Sequence, residues 1–399
     1  MTTPPSSGSP SNGGNIQPGD FLPVIGAQQP PAGTRTAVLA LAHLHMKANW
    51  HAAPVHGFTL PLWYRGTYDE QQTAGEQVVI FDRSHLGRFY VTGELSDAVL
   101  GRLFATDPAR IPVGRFSRAL VCRHDGTIFD IPTLAHLDEG RWLVISGPRT
   151  QVALREAVEG AIAEGEDVLV RDRLGESVML EVVGPGAEHA LHAVVGSNLP
   201  GGVPEGEAHE VLLGGFRALV AHDRALGEEG YWFIVSPEVG EHLWENSLTV
   251  GIEPAGLAAW DTLRLEAGTI EAPTETPSPA TPYHAGLGDL VHLEALDGSP
   301  REFHGRHALE HRDPPERVLV GLKLDGPRLA KRGSRIRAGG VDVGACVNAV
   351  YSGAVGSGIA VAYLSPDLAR VEVDTDGVWQ PADVVALPFI KGPRADLGR

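Results

Sequence analysis

The residue that most demands a chemical explanation is Asp130, a carboxylate inside the apolar, β-rich run TIFDIPTLAHL. An ionised carboxylate is expensive to withdraw from water unless a site uses it. Held there, it stabilises positive charge developing on a nearby nitrogen or sulfur atom, and it orients or moves a proton. The plainer alternative is a strand-end aspartate facing solvent. His304, His307 and His311 recur at intervals of three and four, which puts side chains on one helix face. They suggest a metal set, but no carboxylate completes it. His43, His45, His51 and His56 near the N-terminus are candidates for a cavity mouth, and His85 opens a strand. The two cysteines, Cys122 and Cys346, sit in apolar stretches without zinc-ligand spacing and read as reduced core thiols. No nucleophile elbow, dinucleotide loop, phosphate loop or HExxH pattern occurs, which weighs against hydrolases and nucleotide enzymes.

The elements that must position Asp130 are legible from periodicity. The stretch from Thr36 to Trp50 has helical spacing of Val38, Leu41, Ala42, His45 and Met46. Alternation from Leu86 to Val91 gives a strand, followed by a helix from Ser96 to Phe104. The runs RALVCRH and TIFDIPTLAHL flank Asp125-Gly126, a dipeptide that tolerates the positive φ of a two-residue type I′ hairpin turn. A strand at WLVISG and an amphipathic helix at RTQVALREAVEGAIAEG follow. The pattern then partly recurs, with a strand (SVMLEVVG), a helix (GAEHALHAVVG), strands at VLLGGFRALVAHD and YWFIVSP, and a helix from Glu238 to Val250. EAPTETPSPATP, residues 271–282, reads as an exposed connection. From about residue 317 short strands alternate with glycine turns, the signature of a small barrel.

These elements predict an α+β protein with this division: a disordered Pro/Ser/Gly/Asn-rich tail over 1–33, two sheet-and-helix regions over 34–160 and 161–270, a connection over 271–316 and a barrel over 317–399. At 399 residues, several packed cores are expected. A hydrophobic fraction of 43% with 21% charged residues is that of a folded protein. The net charge of −18 argues against nucleic acid and anionic membranes as partners, because both require a basic footprint. A small-molecule substrate fits better; nothing indicates a protein partner. The chain shows neither a long apolar span nor a signal peptide, so a cytoplasmic location is expected.

Several segments, in order and with near-constant spacing, resemble the glycine cleavage T protein (aminomethyltransferase) family. They are Phe81-Asp82-Arg83-Ser84-His85-Leu86-Gly87, Asp125-Gly126-Thr127-Ile128-Phe129-Asp130, Gly184-Pro185-Gly186-Ala187 and Gly227-Glu228-Glu229-Gly230-Tyr231-Trp232. The series continues with Asp261-Thr262-Leu263-Arg264-Leu265-Glu266-Ala267-Gly268, Phe303-His304-Gly305-Arg306 and Leu387-Pro388-Phe389. The resemblance spans roughly residues 40 to 392 and implies a three-domain cloverleaf around a central cavity. It consists of two antiparallel sheet-plus-helix domains and a small C-terminal β-barrel. The implied activity is transfer of a methyl, methylene or aminomethyl group to or from tetrahydrofolate, as an aminomethyltransferase, methyltransferase or demethylase.

The resemblance also implies roles for residues. Asp130 corresponds to the family carboxylate near the folate nitrogen that takes up the one-carbon unit. The cofactor-binding positions implied are Leu86, Trp142, Val144, Ser146, Glu228, Tyr231, Trp232 and Trp260. Several matching positions depart from the family pattern, among them Ile131, which stands where the family has a second Asp. The carboxylate that reads the pterin edge is Trp232 here, the Arg before the Asp-Thr-Leu-Arg run is Trp260, a Tyr is Ala135 and an Asn is Ser146. An indole donates one hydrogen bond and accepts none, so Trp232 cannot take over that recognition. Glu228 or Glu229 is the expected replacement acceptor. The two indoles are either core packing or a flat wall for a planar ligand or methylated cation. Arg83, a Val in the family, either reaches the cavity or is solvated, and Arg264 and Glu266 read as a polar pair on one helix. Two other readings stay open: an enzyme whose cavity has turned to a different, folate-independent reaction, and a non-catalytic folate-binding protein. The Cys-containing motif of iron–sulfur repair members has no counterpart.

Overall fold

The computed structural model describes residues 34–196, 202–310, 314–326 and 328–392. The tail expected over 1–33 and His311 lie outside the described residues. A five-stranded antiparallel sheet has the order Leu169–Asp172, Gly87–Thr92, Arg141–Ser146, Thr133–Asp138, Phe116–Arg118. Side chains alternate across it. Phe89, Val91, Leu134, Trp142 and Val144 pack against helices Ser96–Leu103 and Gln151–Gly160, while Ala135, Leu143 and Ile145 point the other way.

A six-stranded sheet runs Ala208–Leu213, Phe216–Asp223, Gly230–Val235, Val178–Val183, Val79–Asp82, Glu253–Pro254, antiparallel except for the last pair. Leu180, Val182, Tyr231, Phe233 and Val235 meet helices Ala187–Val195 and Pro237–Thr249. Met179, Leu219, Trp232 and Ile234 face the first sheet. Two sheets thus oppose each other with their helices outside. The early strand Val79–Asp82 belongs to the second sheet, so the two units interleave along the chain.

The C-terminal strands close into a six-stranded barrel in the order Val318–Leu324, Ser357–Leu364, Val341–Ser352, Arg335–Ala338, Arg370–Thr375, Val378–Val385. Cys346 lies in its core, and Cys122 is likewise buried and free. The α+β cloverleaf expected from the sequence is therefore present.

Three local expectations need correction. The N-terminal helix is confined to Ala42–Lys47, because Ala37–Val38 instead pairs in parallel with Phe58–Thr59. The hairpin at Asp125-Gly126 forms, but only Gly126 has positive φ. The Asp125 carboxylate accepts from the Thr127 N–H and hydroxyl, which fixes a local turn and leaves the left-handed step to glycine alone. Its strands are short: Val121–Cys122 pairs with Ile128–Asp130 outside the main sheets, and the flanking Phe116–Arg118 and Thr133–Asp138 pair within the five-stranded one. The hairpin therefore leaves the sheet, carrying Asp130 with it.

The third correction concerns 271–282. Thr274, Glu275 and Thr276 are buried, not exposed. Glu275 accepts from both terminal nitrogens of Arg264 at 2.9 Å and from Asn348 of the barrel at 2.8 Å. Arg264 also grips Asp261, while Glu266 accepts from Ser352; the expected Arg264–Glu266 pair is replaced by these partners.

Candidate functional site

Where the inner faces of the two sheets meet at one end, they enclose a cavity of about 150 Å³. That is the scale that admits an aromatic ring. One sheet contributes Phe116, Thr133, Ile145 and Ser146 to its walls, and the other Met179, Glu181 and Trp232. Trp260 closes one side from the helix Leu257–Glu266, and Thr269, Glu271 and Ala272 complete the rim. Gly256 makes that helix's position possible: a Cβ there would lie 2.2 Å from the Leu62 backbone. Without a side chain, the helix start lies directly on the strand Phe58–Trp63, and Glu70 accepts its N–H at 2.8 Å.

Asp130 sits in the cavity wall, 2% exposed. Its Oδ2 accepts from the Thr150 hydroxyl at 2.7 Å and its Oδ1 from the Ile131 N–H at 2.8 Å. Burial outweighs these bonds and raises its pKa to about 7. The group therefore changes charge near neutrality, as a group that handles protons or charge in a reaction should.

Glu181 is a second buried carboxyl there, likewise raised to about 7 by burial, with the charge of Arg83 opposing the rise. One of its oxygens, Oε2, accepts from Trp260 Nε1 at 2.8 Å. The Arg83 guanidinium lies 3.3 Å from the Trp260 ring centroid, a cation–π stack, and its Nη2 is 3.7 Å from Glu271. Arg83 Nη1 and Ser146 Oγ are buried without a hydrogen-bond partner among the described residues. Trp232 meets Phe116 edge to face, with centroids 5.4 Å apart. Asp223, pushed up by burial, and Arg118 complete the polar lining.

Of the positions singled out from the sequence, Asp130, Leu86, Ser146, Trp232 and Trp260 converge on this cavity. Four others do not. Trp142 and Val144 point to the helix side of their strand, where Trp142 donates to Asp97 at 2.7 Å and stacks on His136. Tyr231 faces the opposite core and stacks on His222. Each is one residue out of phase with the cavity face. Glu228 is buried away from the cavity, and Glu229 pairs with His222 and Arg224. The expected replacement acceptor is thus absent at 228 and 229, and the structure brings Glu181 to the cavity instead.

Glu181, Asp223 and Glu271 line the cavity without any motif that marks them, and Arg83 takes the cavity alternative over the solvated one. The signal for Glu181 was available: a single charge inside VMLEVV is the same anomaly that drew attention to Asp130.

The histidines are dispersed. His45 is buried between Asp82 and Tyr64, at 2.9 Å from each, and His51 stacks on Trp63. His56 lines a second hollow of about 360 Å³ together with Arg149. His85 is buried, and burial presses its pKa well down, so its ring is neutral. His307 pairs with Glu310 on the surface, and no three metal-type side chains cluster among the described residues. Nor is any described helix long and apolar enough to cross a membrane.

Residues 41–295 match the GCVT N-terminal domain, and 317–391 match the glycine cleavage T-protein C-terminal barrel domain. An aminomethyltransferase of Streptomyces avermitilis is 34% identical over 373 residues, covering 88% of this chain and 97% of that protein. One from Streptomyces coelicolor is 34% identical over 356 residues, with coverages of 84% and 92%. The crystal structure of the glycine cleavage system aminomethyltransferase T from Bartonella henselae superposes with a TM-score of 0.81 at 24% identity, covering 88% of this chain and 98% of that one. This last likeness is one of fold.

Proposed function

This chain belongs to the glycine cleavage T-protein family of tetrahydrofolate-dependent one-carbon transferases, and we propose that it moves a methyl, methylene or aminomethyl group between a small substrate and tetrahydrofolate. The observation that carries this reading is Asp130, a carboxyl held near its point of ionisation in the wall of a ring-sized cavity.

The lining suits a folate ring. Trp232 and Trp260 offer flat apolar surface, and the unpartnered Arg83 Nη1 and Ser146 Oγ need a ligand with polar edges. When bound, tetrahydrofolate supplies the nitrogen that carries the one-carbon unit. Asp130, ionised, would stabilise the positive charge that develops on the nitrogen gaining the one-carbon unit, while the bond from that carbon to the substrate nitrogen or sulfur breaks and leaves its electron pair on the substrate atom. Thr150 fixes the direction of that carboxylate through its 2.7 Å bond. Leu86, Ile145 and Met179 exclude water, which strengthens the interaction by lowering the local dielectric.

Calorimetry with tetrahydrofolate, joined to a transfer assay over methylated amines, thioethers and aryl methyl ethers, tests the reading. Micromolar binding is expected, together with turnover that Asp130→Asn abolishes while the fold survives. An absence of folate binding refutes it and favours a cavity turned to another ligand.

A further inference from the structure

Around Trp260 three side chains form one unit. Its indole N–H is spent on Glu181 Oε2, and its ring face is covered by the Arg83 guanidinium. Among the described residues nothing donates to the other Glu181 oxygen, and nothing accepts from Arg83 Nη1. Both residues are more than nine-tenths buried, at 7% and 3% exposure, and both line the cavity. A buried guanidinium N–H without an acceptor is destabilising, so an acceptor that reaches Arg83 from the cavity is favoured there.

The geometry says what should enter. Glu181 lies on the same face of its strand as Met179, sits directly opposite Trp232 on the neighbouring strand and accepts from Trp260, so its carboxyl joins both indoles in the cavity wall. It accepts N–H donors there and, when ionised, offers no donor. Arg83 supplies an N–H donor nearby and has no acceptor. The complement of that pair is the edge of a planar ring bearing an amino group and a ring N–H next to a carbonyl.

We propose that Glu181 and Arg83 are the specificity pair for the 2-amino-4-oxo edge of the folate ring, Glu181 accepting from its N–H groups and Arg83 donating to its carbonyl. This inference rests on the folate reading above. Trp260 acts as the positioning residue, since it fixes the carboxylate through its N–H and the guanidinium through its face.

The test is a set of equilibrium titrations of the full chain, read by tryptophan fluorescence, with 5-formyltetrahydrofolate, its 2-desamino analogue and guanosine. Wild type, Glu181→Gln and Arg83→Met are compared, with circular dichroism confirming that each variant is folded. Wild type should prefer the amino compound over the 2-desamino analogue by about tenfold or more, because a site built to pair with N–H groups rejects a ligand lacking one. In Glu181→Gln that preference should largely vanish, and Arg83→Met should weaken both ligands about equally. Equal discrimination by wild type and Glu181→Gln overturns the pair while leaving folate binding intact. If wild type binds no folate derivative, the folate reading falls and the pair falls with it. Guanosine shares the same ring edge, and tighter binding of guanosine than of the folate overturns the assignment to folate.

Discussion

At the scale of single residues, burial of Asp130 decides where its carboxyl changes charge. Its value of about 7 means that the carboxyl is neutral under acid conditions and ionised under basic ones. Transfer that depends on the anion should therefore show kcat rising with pH through a single step near 7, flat above it. Thr150 donates to the ionised form and so holds the pKa down. Thr150→Val keeps the side-chain shape and removes the donor, so the step should move to higher pH, and the plateau rate should fall because the bond that aims the carboxylate is lost. A pH profile of kcat for both proteins checks this; a shift downward would contradict it. Asp130 was legible in the sequence because a lone charge in an apolar strand is conspicuous, and the family motif gave it a role. Glu181 carries the same local signal, but it lies outside the quoted family motifs. Glu181 faces a tryptophan across the sheet, a relation that only strand pairing reveals.

Among the elements, the determining one is the helix Leu257–Glu266 together with the segment that follows it. The sequence gives 271–282 every mark of an exposed linker, rich in proline and threonine. Composition cannot show that Glu275 is the acid that neutralises Arg264, since the two meet only after the helix has turned back on the segment. That buried cluster places Glu271 and Ala272 at the rim of the cavity and Trp260 in its wall. Arg264→Met should leave Glu275 and Asp261 as buried acids without their cation, destabilising the fold by about 3–5 kcal/mol. Urea unfolding of the variant measures this, and a change under about 1 kcal/mol would show the cluster to be dispensable. Strand phase was the other gap. Periodicity located the strands Arg141–Ser146 and Gly230–Val235, but one-residue offsets put Trp142, Val144 and Tyr231 on the helix side.

For the whole molecule, the barrel and the sheet domains share one polar seam. Asn348 and Tyr363 of the barrel bond Glu275, Ser352 bonds Glu266, and the Gly353 N–H donates to Gln71. The barrel thereby supports the segment that closes the cavity, although among the described residues no barrel residue lines it. The cloverleaf was readable from the succession of strands, helices and glycine turns. The interleaving of Val79–Asp82 into the second sheet was not, because pairing between distant strands leaves no local mark in the sequence. Whether folate occupies the Asp130 cavity is decided by a crystal structure with bound 5-formyltetrahydrofolate. The ring should lie against Trp232 and Trp260, with its amino edge on Glu181 and its opposite side toward Asp130. Folate bound elsewhere on the chain, or an empty cavity at saturating folate, would contradict it.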